Sequence, residues 1–220
     1  MNINKQEIKN TIYNDIRKHI FDRTLVKGDR LVESRIAETY QVNKIHVKTA
    51  LQQLELDGLI SHIPMKGYVV IGINYNSMRE IAKIRQILET AILERFLEEG
   101  SDEDIDEAAR LTKKKIIFLE NSMKEEAVTE TKSFFTKLYS CSPYHRMTEL
   151  LKQYDIYINE MIRTSFDRDE DRLLSIQNSK ILYQALNERN IDLIHQWAEV
   201  RFNKLVKKID YLISLSEEEA

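Results

Sequence analysis

The sequence predicts a mainly α chain in two parts: a small N-terminal domain of helices closed by a β-hairpin, then a larger all-α helical bundle. Three observations carry that expectation. Apolar residues recur at helical spacing along most of the chain, whereas alternation is confined to the stretch around Ile60 and Tyr68–Val70. Four of the five glycines (Gly28, Gly58, Gly67 and Gly72) fall in the first 72 residues, leaving Gly100 beyond them. Charge divides at the same place. Residues 1–72 hold 11 Lys and Arg against 8 Asp and Glu, a balance of +3, and the remainder holds 22 against 28, a balance of −6. The expected domains are therefore residues 1–73 and 78–220, with Asn74-Tyr75-Asn76-Ser77 as a polar linker whose serine caps the next helix.

Length and composition narrow the classes. A chain of 220 residues with 42% hydrophobic and 31% charged side chains has ample core and a water-compatible surface. Cys141 is the single cysteine, which excludes an intrachain disulfide framework and a cysteine-based zinc site and fits a reducing cytoplasm. No apolar run approaches bilayer length, and MNINKQEIKNTIYNDIRK lacks the apolar core of a signal peptide. The expectation is a cytoplasmic protein with no membrane partner. A basic small domain joined to an acidic larger one suggests that the first alone meets a polyanion.

In chain order, Ile8, Ile12, Ile16, Ile20 and Phe21 predict an amphipathic helix over Lys5 to Arg23. Leu25 to Leu31 reads as a turn. Ser34 is placed to cap a short helix with Ile36 and Ala37 inward, and Tyr40-Gln41-Val42 breaks its period. Asn43 caps a second helix whose apolar set is Val47, Ala50, Leu51, Leu54 and Leu56, and Asp57-Gly58 ends it. Two strands joined by Pro64-Met65-Lys66-Gly67 complete the unit. Helix, turn, helix, hairpin is the order of a winged helix-turn-helix, which sets one helix in the DNA major groove.

The remaining residues read as helices throughout. Met78, Ile81, Ile84, Leu88, Ala91 and Ile92 mark one apolar face, ending at Glu99-Gly100. Ser101-Asp102-Glu103-Asp104 has the form of a capping box and opens a helix to Leu119. Further helices are expected over Glu125–Tyr139, Pro143–Thr164 (with Pro143 in the first turn), Asp167–Glu188 and Asn190–Leu215, before a frayed acidic tail at Glu217-Glu218-Glu219.

The stretch LVESRIAETYQVNKIHVKTALQQLELDGL resembles the GntR-type bacterial regulators, in the FadR-like branch that joins a winged helix to an all-helical FCD-type effector domain. Leu31, Glu33, Ala37, Glu38, Val42, Val47, Ala50, Leu51, Leu54, Gly58 and Leu59 match that pattern, and Gly67-Tyr68-Val69-Val70 meets the wing. The resemblance implies a DNA-binding transcription regulator that works as a homodimer on double-stranded DNA. Ser34, Arg35, Asn43, Lys44, His46, Lys48, Lys66 and Gly67 then become the expected DNA contacts, since helix N-termini and wing tips approach phosphates. Two family arginines are replaced by Lys44 and Lys48, which keep charge but lose the bidentate fork used on guanine.

Many members of this branch hold a divalent metal through an aspartate and three histidines. The resemblance sets those positions at Thr131, Phe135, Ser179 and Arg201, and residues 146–194 contain no histidine. No metal or other cofactor is expected, because two neutral hydroxyls, a phenyl ring and a guanidinium cannot replace the set. His145 and His195 are expected to be partly buried or surface histidines and not ligands. Arg85 matches a family arginine, so Arg85 and Arg201 can hold a carboxylate or phosphate effector directly, with Thr131, Phe135, Tyr139, Ser179 and also Tyr183 about the cavity. Two alternatives stay open. Arg85 can pair with an acidic neighbour while Arg201 faces solvent, or the helical domain can serve dimerisation with no effector.

An enzyme is not expected, since the chain has no nucleophile elbow, P-loop, HExxH or Rossmann fingerprint. A winged helix that binds a protein instead of DNA is the other class, and Lys44, Lys48 and Lys66 weigh against it.

Overall fold

The computed structural model describes residues 5–21, 24–72, 75–164, 166 and 168–218. The expected linker residue Asn74, the helix end at Arg23, the helix start at Asp167 and Glu219 of the tail lie outside those residues. The chain forms two units, Met1–Asn74 and Tyr75–Ala220.

In the first unit, α1 (Lys5–Phe21) packs on α3 (Lys44–Leu56), with α2 (Glu33–Tyr40) between them in sequence. Ile12, Ile16 and Ile20 sit one helical turn apart and are buried, each worth roughly 1.5–3 kcal/mol of apolar transfer. They meet Val47, Ala50, Leu51 and Leu54 of α3, all fully buried. Two tyrosine bonds pin the bundle. The Tyr40 hydroxyl donates to Asp15 at 3.0 Å and the Tyr13 hydroxyl donates to Asp57 at 2.7 Å. Burial, then the adjacent carboxylate, pushes both phenols up, Tyr40 to about 12.

The hairpin is part of a larger sheet than expected. β2 (Ile60–Ile63) and β3 (Gly67–Val70) pair antiparallel, and β1 (Arg30–Leu31) adds on the other edge of β3, giving the order β1-β3-β2. Arg30 and Leu31, read as turn from the sequence, thus belong to a strand too short to show alternation. Leu31 is the buried residue of the pair. Gly67 has φ +78 at the start of β3, a conformation that L side chains rarely adopt.

Three capping expectations need correction. The N-cap of α2 is Val32, not Ser34, because Leu31 leaves the sheet directly into a helix that begins at Glu33. Ser77 lies inside α4 (Tyr75–Glu99), which starts three residues earlier than its cap role requires. Pro143 precedes α7 (His145–Thr164), where the Ser142 hydroxyl accepts from the Tyr144 amide at 3.1 Å. Leu56 is also misplaced as core. It is 81% exposed, since two residues beyond Leu54 is about 200° around the helix.

The second unit is all helical: α4, α5 (Asp102–Glu120), α6 (Lys124–Cys141), α7, α8 (Asp169–Glu188) and α9 (Ile191–Glu218). α5 packs on α6 and α8, and α9 on α4 and α8. Ser101 caps α5 by accepting from the Asp104 amide at 3.1 Å. Leu93, Leu138, Leu151, Ala185, Leu186 and Ile194 form the fully buried centre. No helix among the described residues is long and apolar enough to cross a membrane.

Candidate functional site

The exposed face of α3 follows from its buried one. With Val47, Ala50, Leu51 and Leu54 turned inward, Lys44, Ile45, Lys48, Thr49 and Gln52 fall on the opposite side and are exposed. Asn43 starts the helix, its side chain accepting from the Ile45 amide at 3.0 Å. That cap takes one lone pair of Oδ1 and leaves the amide NH₂ of Asn43 to reach outward. His46 is half-buried at the edge of the face. α2 ends in a left-handed Gln41, and the Val42 amide donates back to Ala37 at 3.0 Å, which sets the tight turn between the two helices. Ser34 is half-buried in the first turn of α2, while Arg35 is exposed.

At the wing, Lys66 and Met65 are exposed and Gly67 is half-buried. The Arg30 guanidinium donates twice to the Lys66 carbonyl, at 3.1 and 2.7 Å, so β1 holds the tip by its backbone and leaves the Lys66 ammonium outward. Sequence reasoning missed Arg30, Ile45, Thr49 and Gln52. The last three were legible as the positions facing away from Val47, Ala50 and Leu54.

The helical unit brings most of the expected effector residues into two places. Arg85, Glu89 and Tyr139 form a buried cluster. Arg85 pairs with Glu89 at 2.5 Å and also donates to the Leu151 carbonyl at 3.2 Å. The Tyr139 hydroxyl donates to the same carboxylate at 3.0 Å, and Arg201 pairs with its other oxygen. Burial acts to raise the Glu89 carboxyl, but Arg201, Arg85 and Tyr139 together outweigh it and hold the group below its ordinary value. Arg85 therefore has an acidic neighbour one turn along, and its guanidinium is only 2% exposed.

The second place is a cavity of about 90 Å³ among α5, α6, α8 and α9. Thr131, Phe135 and Arg201 line it, as expected of a shared site. Arg85, Tyr139, Ser179 and Tyr183 do not. The first two are committed to Glu89, Ser179 donates its hydroxyl to the Ser175 carbonyl at 2.7 Å within α8, and Tyr183 packs against the core. Arg201 lies over the Phe135 ring at 4.8 Å and the Trp197 ring at 5.4 Å. Lys115, Glu130, Asn178 and Lys204 also line the cavity and were not singled out from the sequence. Lys115 carried a signal: it follows Ala108 and Thr112 at helical spacing on the buried side of α5. His145 and His195 are exposed, and His195 meets Glu94 at 2.8 Å.

The model for bacterial regulatory proteins of the gntR family matches residues 8–70, and that for the FCD domain matches residues 80–201. The chain belongs to the GntR family. It is a DNA-binding transcription regulator with an FCD effector-binding domain, of the FadR-like kind, and not an enzyme. Among related regulators, YdhC of Bacillus subtilis is 20% identical over 94% of this chain and 92% of its own length. McbR/YncC of E. coli is 20% identical with a TM-score of 0.66, covering 95% of this chain and 98% of its own. A GntR-type regulator of Rhodococcus sp. RHA1 is 21% identical with a TM-score of 0.64, covering 91% and 96%. At these identities the two solved structures show the shared fold.

A divalent metal does not fit the residues at the positions where this GntR chain would be expected to hold one. Thr131 and Ser179 donate their hydroxyls to backbone carbonyls, at 2.7 Å each, and Phe135 offers no donor. Arg201, Lys115 and Lys204 bring three cationic side chains to the lining, with Glu130 as its carboxylate. A cation entering there would meet like charge before it met a ligand set. Among the described residues no group of three His, Cys, Asp or Glu side chains is placed to hold a metal.

Proposed function

We propose that this GntR regulator acts in the cytoplasm as a homodimer on a near-palindromic operator. Each protomer sets α3 in the major groove of one half-site, because a two-fold protein matches a two-fold site. Asn43, Lys44, His46 and Lys48 lie toward the bases, and Ser34, Arg35, Lys66 and Gly67 toward the backbone. A small anionic effector, a carboxylate or phosphate held without metal in the helical domain, shifts DNA affinity through its preference for one of two conformations. The observation that carries the reading is the face of α3, where Lys44 and Lys48 stand exposed one turn apart beside an apolar Ile45.

Selection of bound fragments from genomic DNA by the full chain tests it. A recovered inverted repeat, bound more weakly as salt rises, is the expected result. Recovery of random fragments, or of a direct single site by a monomer, would reject the operator reading. Lys44→Glu with Lys48→Glu should abolish the binding while the melting curve is retained.

A further inference from the structure

The effector reading leaves the ligand's chemistry unspecified, and the cavity carries a charge pattern that narrows it. Lys115 reaches the cavity from α5 and has no hydrogen-bond or ion-pair partner among the described residues. The charges that act on it are other cations, Lys204 and Arg201. Arg201 is already matched by Glu89, and Lys204 donates to the Asp171 carbonyl at 2.8 Å and to the Ser175 hydroxyl. Among the described residues, Lys115 is thus the lining cation with no hydrogen-bond or ion-pair partner.

Two acceptors of the same lining are also unmet. Glu130 Oε2 on α6 and Asn178 Oδ1 on α8 are buried without a hydrogen-bond partner, and Asn178 is 8% exposed as a residue. Unpartnered buried acceptors are uncommon in a folded protein and each costs free energy until a donor arrives. Much of the remaining wall is apolar, with Phe134, Phe166, Leu182 and Trp197.

We propose that this cavity binds a short-chain amino acid as its zwitterion, the carboxylate taken by Lys115 in place of a metal and the ammonium by Glu130 and Asn178. The inference rests on the effector reading above and names the ligand class of that site. Size restricts it further. A cavity of about 90 Å³ falls below the roughly 150 Å³ that admits benzene, which favours two or three carbons over an aromatic side chain. An acid alone would leave Glu130 and Asn178 unmet, and an amine alone would leave Lys115 unmet. The zwitterion offers a partner to all three groups through charge-assisted bonds, and these are the strong ones.

Calorimetric titration of the full chain with glycine, L-alanine and β-alanine, beside propionate, L-lactate and ethylamine, tests the proposal. The alanine, lactate and propionate series changes one group at a time, from ammonium to hydroxyl to hydrogen. At least one of the three amino acids should bind saturably, with propionate, L-lactate and ethylamine weaker by about tenfold or more. Lys115→Met and Glu130→Gln should each weaken the amino acid by a similar factor. Lys115→Met removes an unmatched cation, so its ligand-free melting curve should stay at or above that of the natural chain. L-Lactate or propionate binding as well as L-alanine would overturn the ammonium contact, and an unaltered Lys115→Met would overturn the carboxylate contact. If none of the three amino acids binds, the proposal falls. If one binds and the operator affinity does not move, the ligand site stands and the regulatory reading fails instead.

Discussion

Glu89 is the side chain on which three others depend. Its carboxylate faces two guanidiniums and a phenol at 1% exposure, so removing its charge leaves Arg85 and Arg201 unmatched in a poorly solvated place. Glu89→Gln should lower stability by about 3–5 kcal/mol, read from urea unfolding. Because the folded carboxyl is held below its ordinary value, its stabilisation is present above that value and fades as pH falls through the folded one. The variant should therefore lose the acid limb of the stability curve. Lys115 works in the opposite sense. Burial, with Lys204 and Arg201 nearby, pushes its amine down from 10.5 to about 7. Between those values the unfolded chain binds the extra proton, so stability from this group rises with pH from about 7 to about 10.5. Lys115→Met should flatten the melting temperature across that window, and a rise of the same slope in the variant would assign the effect elsewhere.

Among the elements, α3 concentrates the DNA-reading predictions. Replacing Lys44 or Lys48 by Ala should each reduce the slope of log affinity against log salt by about 0.9 if that lysine neutralises one phosphate. Asn43→Ala removes the bond to the Ile45 amide and should destabilise the fold by about 1 kcal/mol apart from any change in DNA binding. Such a helix was legible from its sequence because period and cap agree: Val47, Ala50, Leu51 and Leu54 fix the buried face and Asn43 the start. β1 was not legible, since two residues cannot display alternation and Arg30 and Leu31 pair only with the distant Val69 and Tyr68. The cavity was half legible. Thr131, Phe135 and Arg201 followed from a family pattern, whereas Arg85 and Tyr139 were drawn away by Glu89, a carboxylate whose partners lie 50 and 112 residues distant as well as one turn away. No local pattern encodes that competition. Lys115 was hidden in the run Lys113-Lys114-Lys115, which reads as a solvated face unless the helical phase is followed through it.

For the whole molecule, the two units each carry a core of their own, as Ile12 with Leu51 and Leu93 with Leu138 illustrate. A fragment of residues 1–74 should fold alone and bind a half-site, but far more weakly than the full chain binds the operator, because joining two heads converts the second contact into an intramolecular one. Sedimentation of the full chain should give twice the 26.0 kDa of one protomer, and the fragment should sediment as a monomer. A fragment that bound the complete operator as tightly as the full chain would remove the need for dimerisation by the helical unit.

The buried cluster of Arg85, Glu89 and Arg201 also constrains how descendants of this sequence can change. Losing Glu89 strands two guanidiniums, while exchanging the ion-pair members together for well-packed apolar side chains can leave stability unchanged or raise it. Glu89 should therefore be given up only together with both arginines, which makes the loss of the cluster a single heritable trait. Because Arg201 is at once a member of that trait and part of the cavity wall, a lineage that gave up the ion pairs would inherit a different ligand preference in the same event.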